Sequence, residues 1–221
     1  MIPALLHKDL KTKQRELRSG FPINLGLRVH RALSWLDRAE QATDDLDAAF
    51  IFYWIAFNAA YAKSLDDAME IGERNSFEQY FKKMLTLDKS KRIYRSIWTE
   101  FHGPIDLLLK NKFVYGPFWK YQNGQVKESD WKLWFKTNQH QVKNAFEARN
   151  SATILTILFP RIYVLRNQIL HGGATWNSQV NRQQVEDCKK ILARLVPLFI
   201  DLMMDAPDEE WDKPCYPVVE E

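Results

Sequence analysis

The sequence predicts an all-α protein, an up-and-down bundle with extra helices. Three observations carry that expectation. Only 8 glycines and 9 prolines punctuate 221 residues, which leaves long uninterrupted stretches. Within those stretches apolar residues recur at helical spacing and do not alternate as a half-buried strand would. Hydrophobic residues at 46% supply a core, while charged residues at 27% keep outer faces solvated. No internal repeat is present.

Residues 1–25 read as a polar arm ending in a turn at Gly20-Phe21-Pro22. A first helix is predicted over 26–41, with Leu33, Trp35 and Leu36 toward the core. A second follows, with Thr43 as N-cap and Asp44, Asp45 and Asp47 at the positive end of its dipole. Its residues Leu46, Phe50, Tyr53, Trp54, Phe57 and Tyr61 form one stripe. Ala48, Ala49, Ala56, Ala59 and Ala60 leave another side narrow. A helix apolar on most sides is a central one. Ser76 is the predicted cap of a third helix over 76–87. A fourth covers 89–110 and bends at Gly103-Pro104.

Turn signals at Gly116-Pro117 and Asn123-Gly124 mark 111–127 as an exposed loop within an insertion spanning 88–148. A fifth helix is predicted over 129–148, with Trp131, Trp134 and Phe135 inward. The sixth, over 151–171, carries Ile154, Leu155, Leu158, Ile162, Leu165 and Ile169 on one face. Pro160 bends it and Gly172-Gly173 stops it. Asn181 with Gln184 resembles a capping box opening a seventh helix, whose core residues are Val185, Cys188, Leu192, Leu195, Val196 and Phe199. The helical domain thus runs over 26–204, and 205–221 reads as an acidic, irregular tail.

The bulk numbers exclude several classes. A net charge of +3 and a pI near 8.7 are mildly basic, compatible with nucleic acid without requiring it. Two cysteines, Cys188 and Cys215, imply neither a disulfide framework nor a zinc site, so a reducing cytoplasm is the simplest compartment. The first 20 residues are rich in Lys and Arg without an apolar segment, unlike a secretory signal, and no run of 18 apolar residues spans a membrane. His7, His30 and His140 lack neighbouring ligands, and no glycine-rich phosphate loop opens a helix. No metal or cofactor is therefore expected. The paired carboxylates Asp44-Asp45 and Asp66-Asp67 fall at helix ends, where solvation or the dipole explains them.

The segment Arg166-Asn167-Gln168-Ile169-Leu170-His171-Gly172-Gly173 is the most informative. Arg grips phosphate through a fixed fork of donors, and His moves protons near neutral pH. Together they suffice to cleave a phosphodiester without a metal. Spacing alone is weak: about one match to Arg, four to six residues, then His is expected by accident. Two occur, the other being Arg95 with His102, whose simpler reading is a solvated pair two turns apart on one helix. Arg166 and His171 differ in context, with Asn167 adding a polar group and the two glycines giving backbone room. Positions five apart diverge by about 140° on an ideal helix, so the pair converges only where the helix ends or where two subunits pool their copies. The competing reading pairs the Arg with a carboxylate and lets the His cap the helix.

The stretch from Ile162 to Gly173 resembles the signature of the HEPN family (higher eukaryotes and prokaryotes nucleotide-binding domains), in which Arg and a polar residue precede a His. Trp54-Ile55-Ala56-Phe57-Asn58-Ala59-Ala60-Tyr61 is similar to the central helix of larger HEPN proteins, Apea-like ones among them. The resemblance covers 28–63 and 150–204. It implies a HEPN-type bundle, a homodimer and, in many members, a metal-independent endoribonuclease acting in defence or stress response. Arg166 and His171 would then be the catalytic pair, with Asn167 positioning them. Some toxin members carry a Tyr two residues after the His, the target of a modifying partner. Gly173 stands there, so that mode of control is not implied and any cognate regulator is left open.

On this reading the 2′-hydroxyl of RNA attacks the adjacent phosphate, His171 moves the proton and Arg166 stabilises the phosphoryl oxygens. The alternative is a non-catalytic HEPN module binding nucleotide, RNA or a protein. A third reading is a structural helical dimer. Further substrate contacts are expected at Asn58, whose amide would support the cleft from the second helix, and at Trp119, Lys120 and Tyr121. These last lie where aromatics and cations interleave over 113–136, as in surfaces that stack single-stranded bases.

Overall fold

The computed structural model describes residues 5–62 and 73–216, and every regular element among them is helical. In chain order these are α1 (His7–Leu17), α2 (Ile23–Gln41), α3 (Leu46–Tyr61), α4 (Glu73–Leu87) and α5 (Arg92–Arg95), which runs into a π-helical turn at Ser96–Glu100. Then follow α6 (His102–Lys110), α7 (Gly116–Gln122), α8 (Glu128–Glu147), α9 (Ser151–Leu170) and α10 (Arg182–Met204). The carboxylates Asp66 and Asp67 lie outside the described residues.

α3 is central, as its all-round apolarity implies. It forms a hairpin with α2 and packs on α10, while α9 packs on α4 and touches α3, α6 and α8. The elements meet in one aromatic cluster. Phe159 of α9 lies 4.5 Å from Phe57 of α3 and 4.6 Å from Phe81 of α4, and Phe199 of α10 lies 5.9 Å from Phe81, centroid to centroid. Each such ring, fully buried, contributes on the order of 1.5–3 kcal/mol of transfer free energy.

Several local expectations are corrected. The arm contains α1, whose Leu10 and Gln14 are buried and which packs on α2 and α10. Lys13 pins it by pairing with Asp201 at 2.5 Å and Asp205 at 2.7 Å. A helix with one buried leucine leaves too faint a stripe for periodicity to detect. The cap of α3 is Asp45, whose Oδ1 accepts from Ala48 N at 2.9 Å, and not Thr43. Ser76 is buried inside α4, which starts at Glu73. The predicted fourth helix is two, broken at Phe101 (φ −120°, ψ 14°), so that Pro104 falls in the first turn of α6 where its missing N–H has no partner to lose. The stretch 111–127 is not a bare loop but holds a 3-10 turn at Lys112–Val114 and α7. Trp131 is buried, whereas Trp134 and Trp35 are exposed.

Beyond α10 the described chain lacks regular structure yet is held. Arg28, buried in α2, donates from Nε to Asp212 O and from Nη2 to Lys213 O, and Trp211 is buried beside it.

Candidate functional site

The site is built on the end of α9. Ile154, Leu155, Leu158, Ile162 and Leu165 bury one face and hold the helix in the core, and the helix passes through Pro160. It stops at His171, which leaves helical geometry at φ −95°, ψ 13°. His171 N donates to Asn167 O at 3.0 Å and Gly172 N to Ile169 O at 3.2 Å. Gly172 takes φ +68°, the left-handed turn that favours glycine. At Gly173 an added Cβ would meet Gln168 O at 3.1 Å, a tight contact that glycine avoids where the chain returns close to the helix end.

His171 is exposed, and among the described residues neither ring nitrogen has a hydrogen-bond partner. It lines a cavity of about 360 Å³ together with Asn167, Gln168, Gly173, Trp119 and Tyr163. Arg166 is half-buried one step behind. Its Nη1 donates to Asn167 Oδ1 at 2.7 Å and its guanidinium lies 5.6 Å from the Tyr163 ring centre. Tyr163 in turn sits 6.0 Å from Trp54 of α3. The Nε of Arg166 is buried without a partner. Arg166 is not among the residues lining the cavity, and no hydrogen bond joins it to His171. The structure therefore brings His171, Asn167 and Trp119 together, with Arg166 reaching them through the Asn167 amide.

Two further cavities share walls with the first. One of about 650 Å³ runs past Trp119, Gln168 and Gly173 to Thr175, Ser178 and Asn181. One of about 520 Å³ runs past Tyr163 and Val164 to Lys120 and Arg161. Among the described residues no Asp or Glu lines any of the three. The wall opposite α9 is held by Phe113 O, which accepts from Trp119 Nε1 and from Gln168 Nε2, both at 2.7 Å. The loop after Gly173 is tied to the start of α3. Asp45 Oδ2 accepts from Trp176 Nε1 at 3.2 Å, and Asp47 accepts from Asn177 N at 2.8 Å and from Arg182 Nη2 at 2.5 Å. The Ala48 N–H holds the Asp45 carboxyl below the usual carboxylate range, and Trp176 adds to this.

Of the other expected contacts, Lys120 is exposed at the rim of the third cavity. Tyr121 turns away and stacks on Trp131, centroids 6.1 Å apart. Asn58 is half-buried on α3 and lines none of the three cavities. The other Arg–His match is dispersed: Arg95 donates to Ser90 O at 2.8 Å, His102 packs 5.0 Å from Phe146, and the π-helical turn separates them. Sequence reasoning placed Gln168 and Phe113 only within longer stretches and missed their pairing, which shapes the groove through a backbone carbonyl that no side-chain pattern encodes. It also passed over Arg161, whose signal was visible as the one charge in the run from Ser151 to Leu165.

Among the described residues no group of three or more His, Cys, Asp or Glu side chains is gathered for a metal, and no helix is long and apolar enough to cross a membrane. Compared with protein-family models, curated proteins and solved structures, the chain matches none of them.

Proposed function

We propose that this protein is a metal-independent endoribonuclease of HEPN type, acting on single-stranded or looped RNA. The observation that carries the reading is an exposed imidazole, free of hydrogen bonds, at a concave groove that no carboxylate of the described residues lines, beside Asn167 and backed by Arg166. A groove without carboxylates is open to a polyanion. The exposed Trp119 ring offers a surface on which a base can stack.

The 2′-hydroxyl oxygen attacks the adjacent phosphorus as the bond to the 5′-oxygen breaks. His171 takes the 2′ proton or supplies one to the leaving oxygen. Arg166, held against Tyr163 and Asn167, stabilises charge on the non-bridging oxygens. The products are a 2′,3′-cyclic phosphate and a 5′-hydroxyl. A homodimer would let one His171 serve as base and the second as acid. The exposed apolar residues Leu170 and Trp176, which flank His171 in the chain, support a second copy on this side.

A binding-only HEPN module is favoured by one specific observation, that Arg166 does not line the cavity holding His171. Cleavage of labelled RNA by the purified protein separates the two. The nuclease reading expects cleavage unaffected by chelator and products with cyclic phosphate ends. It expects loss of at least about 100-fold in His171→Ala and severe impairment in Arg166→Lys, because a point charge does not reproduce the guanidinium fork. The double variant Arg95→Ala/His102→Ala should cleave near normally. RNA binding without cleavage by the parent would establish the module, and 5′-phosphate ends or strict magnesium dependence would rule out the chemistry.

A further inference from the structure

Arg161 is an unusual charge among the described residues. Only 2% of its surface is exposed. The other deeply buried arginines are matched: Arg28 donates to three backbone carbonyls and Arg194 to Glu100. Arg161 has Asn138 Oδ1 at 2.6 Å from Nη2, while its Nη1 is buried with no partner. No carboxylate of the described residues forms an ion pair with it. Burial pulls its pKa down to about 10, opposed only by Tyr115. A buried cation left without a counter-charge is costly, and such groups are retained where something else completes them.

The surroundings say what completes it. The Tyr115 ring stacks at 4.1 Å from the guanidinium carbon and Phe135 lies at 5.7 Å. Rings occupy guanidinium faces, which leaves the in-plane N–H edge, the edge that grips oxyanions. Arg161 lines the 520 Å³ cavity together with Lys120, Asn138 and Thr156, among apolar walls that include Phe77 and Ile157. That volume falls in the range of small-ligand sites. Among the described residues two cations and no carboxylate line it, which favours a dianion over a monoanion. The apolar remainder favours a ligand with a ring or hydrocarbon body.

We propose that the cavity around Arg161 is a binding site for a small organic phosphate monoester, with its phosphate between Arg161 and Lys120 and its apolar body against Phe77 and Ile157. The site stands apart from His171 and does not depend on the nuclease reading, although the two cavities share Tyr163 and Val164.

Calorimetric titration of the full chain with phenyl phosphate, inorganic phosphate and benzoate tests it. Phenyl phosphate should bind at least about tenfold more tightly than either of the others, because only it supplies both dianion and ring. Arg161→Met should weaken phenyl phosphate by at least about tenfold while melting at the parent's temperature or above, since an apolar replacement removes an uncompensated charge. Lys120→Ala, at an exposed rim where folding is not at stake, should weaken it severalfold. His171→Ala should bind as the parent does. Absence of phenyl phosphate binding, equal affinity for benzoate, or unchanged affinity in both the Arg161 and Lys120 variants would overturn the proposal.

Discussion

At the scale of single residues, the end of α9 shows how backbone chemistry places a functional side chain. His171 projects where it does because Gly172 accepts a left-handed conformation at φ +68°. Any other residue there crowds its Cβ against the backbone, at a cost of about 1 kcal/mol. Gly172→Ala should therefore lose about that much stability in urea denaturation and should reduce whatever activity depends on His171. Gly103→Ala is the control. It lies in the first turn of α6 with nothing within 4 Å of an added Cβ, and should be neutral or slightly stabilising. Equal losses at both positions would mean that the turn does not constrain the site. The glycine pair was legible in the sequence as a helix stop. The second glycine's contact with Gln168 O was not, because it depends on where the chain goes next.

At the scale of elements, the loop from Gly172 to Asn181 is fixed by the N-terminus of α3, far away in sequence. Asp45 does two jobs: it caps α3 through Ala48 N and receives the Trp176 indole. Asp45→Ala should cost about 1 kcal/mol at neutral pH, the usual worth of a cap. Its folded pKa is depressed, so its contribution is present above the ordinary carboxylate range and is lost as pH falls through the lower folded value. The stability gap between parent and Asp45→Ala, measured in urea across pH, should be full at pH 7 and should narrow as the medium becomes acidic below about pH 4. A gap unchanged by acid would place the effect elsewhere. Helical periodicity revealed α2, α3, α8, α9 and α10 almost to their ends. It failed where one helix was cut by a π-helical turn and where α1 offers a single buried leucine, because neither leaves a repeating apolar stripe.

At the scale of the whole molecule, the groove lies between parts of unequal standing. Phe57, Phe81, Phe159 and Phe199 tie α3, α4, α9 and α10 into the main core. The rings of α7 and α8 form a satellite instead: Phe118 packs edge-on to Trp131 at 5.2 Å, and neither belongs to the main cluster. Val114 and the far end of α8, through Val142 and Ala145, reach the main core, whereas around α7 the links to α9 are Arg161 over Tyr115 and Phe135 and the Phe113 carbonyl holding Gln168. A unit with few apolar links to the core opens at lower free energy than the core does. Native-state hydrogen exchange should accordingly show α7 amides exchanging through a local opening, while buried amides of α3, α9 and α10 exchange only on global unfolding. Phe159→Ala should lower the protection of those helices together by about 3–5 kcal/mol, the usual cost of emptying a core aromatic site. The α7 amides should respond only once global unfolding has become the easier route. If α7 and α9 instead lost protection in step across a urea series, the two walls of the groove would be one cooperative unit, and a ligand between them would meet a preformed site with no wall able to yield.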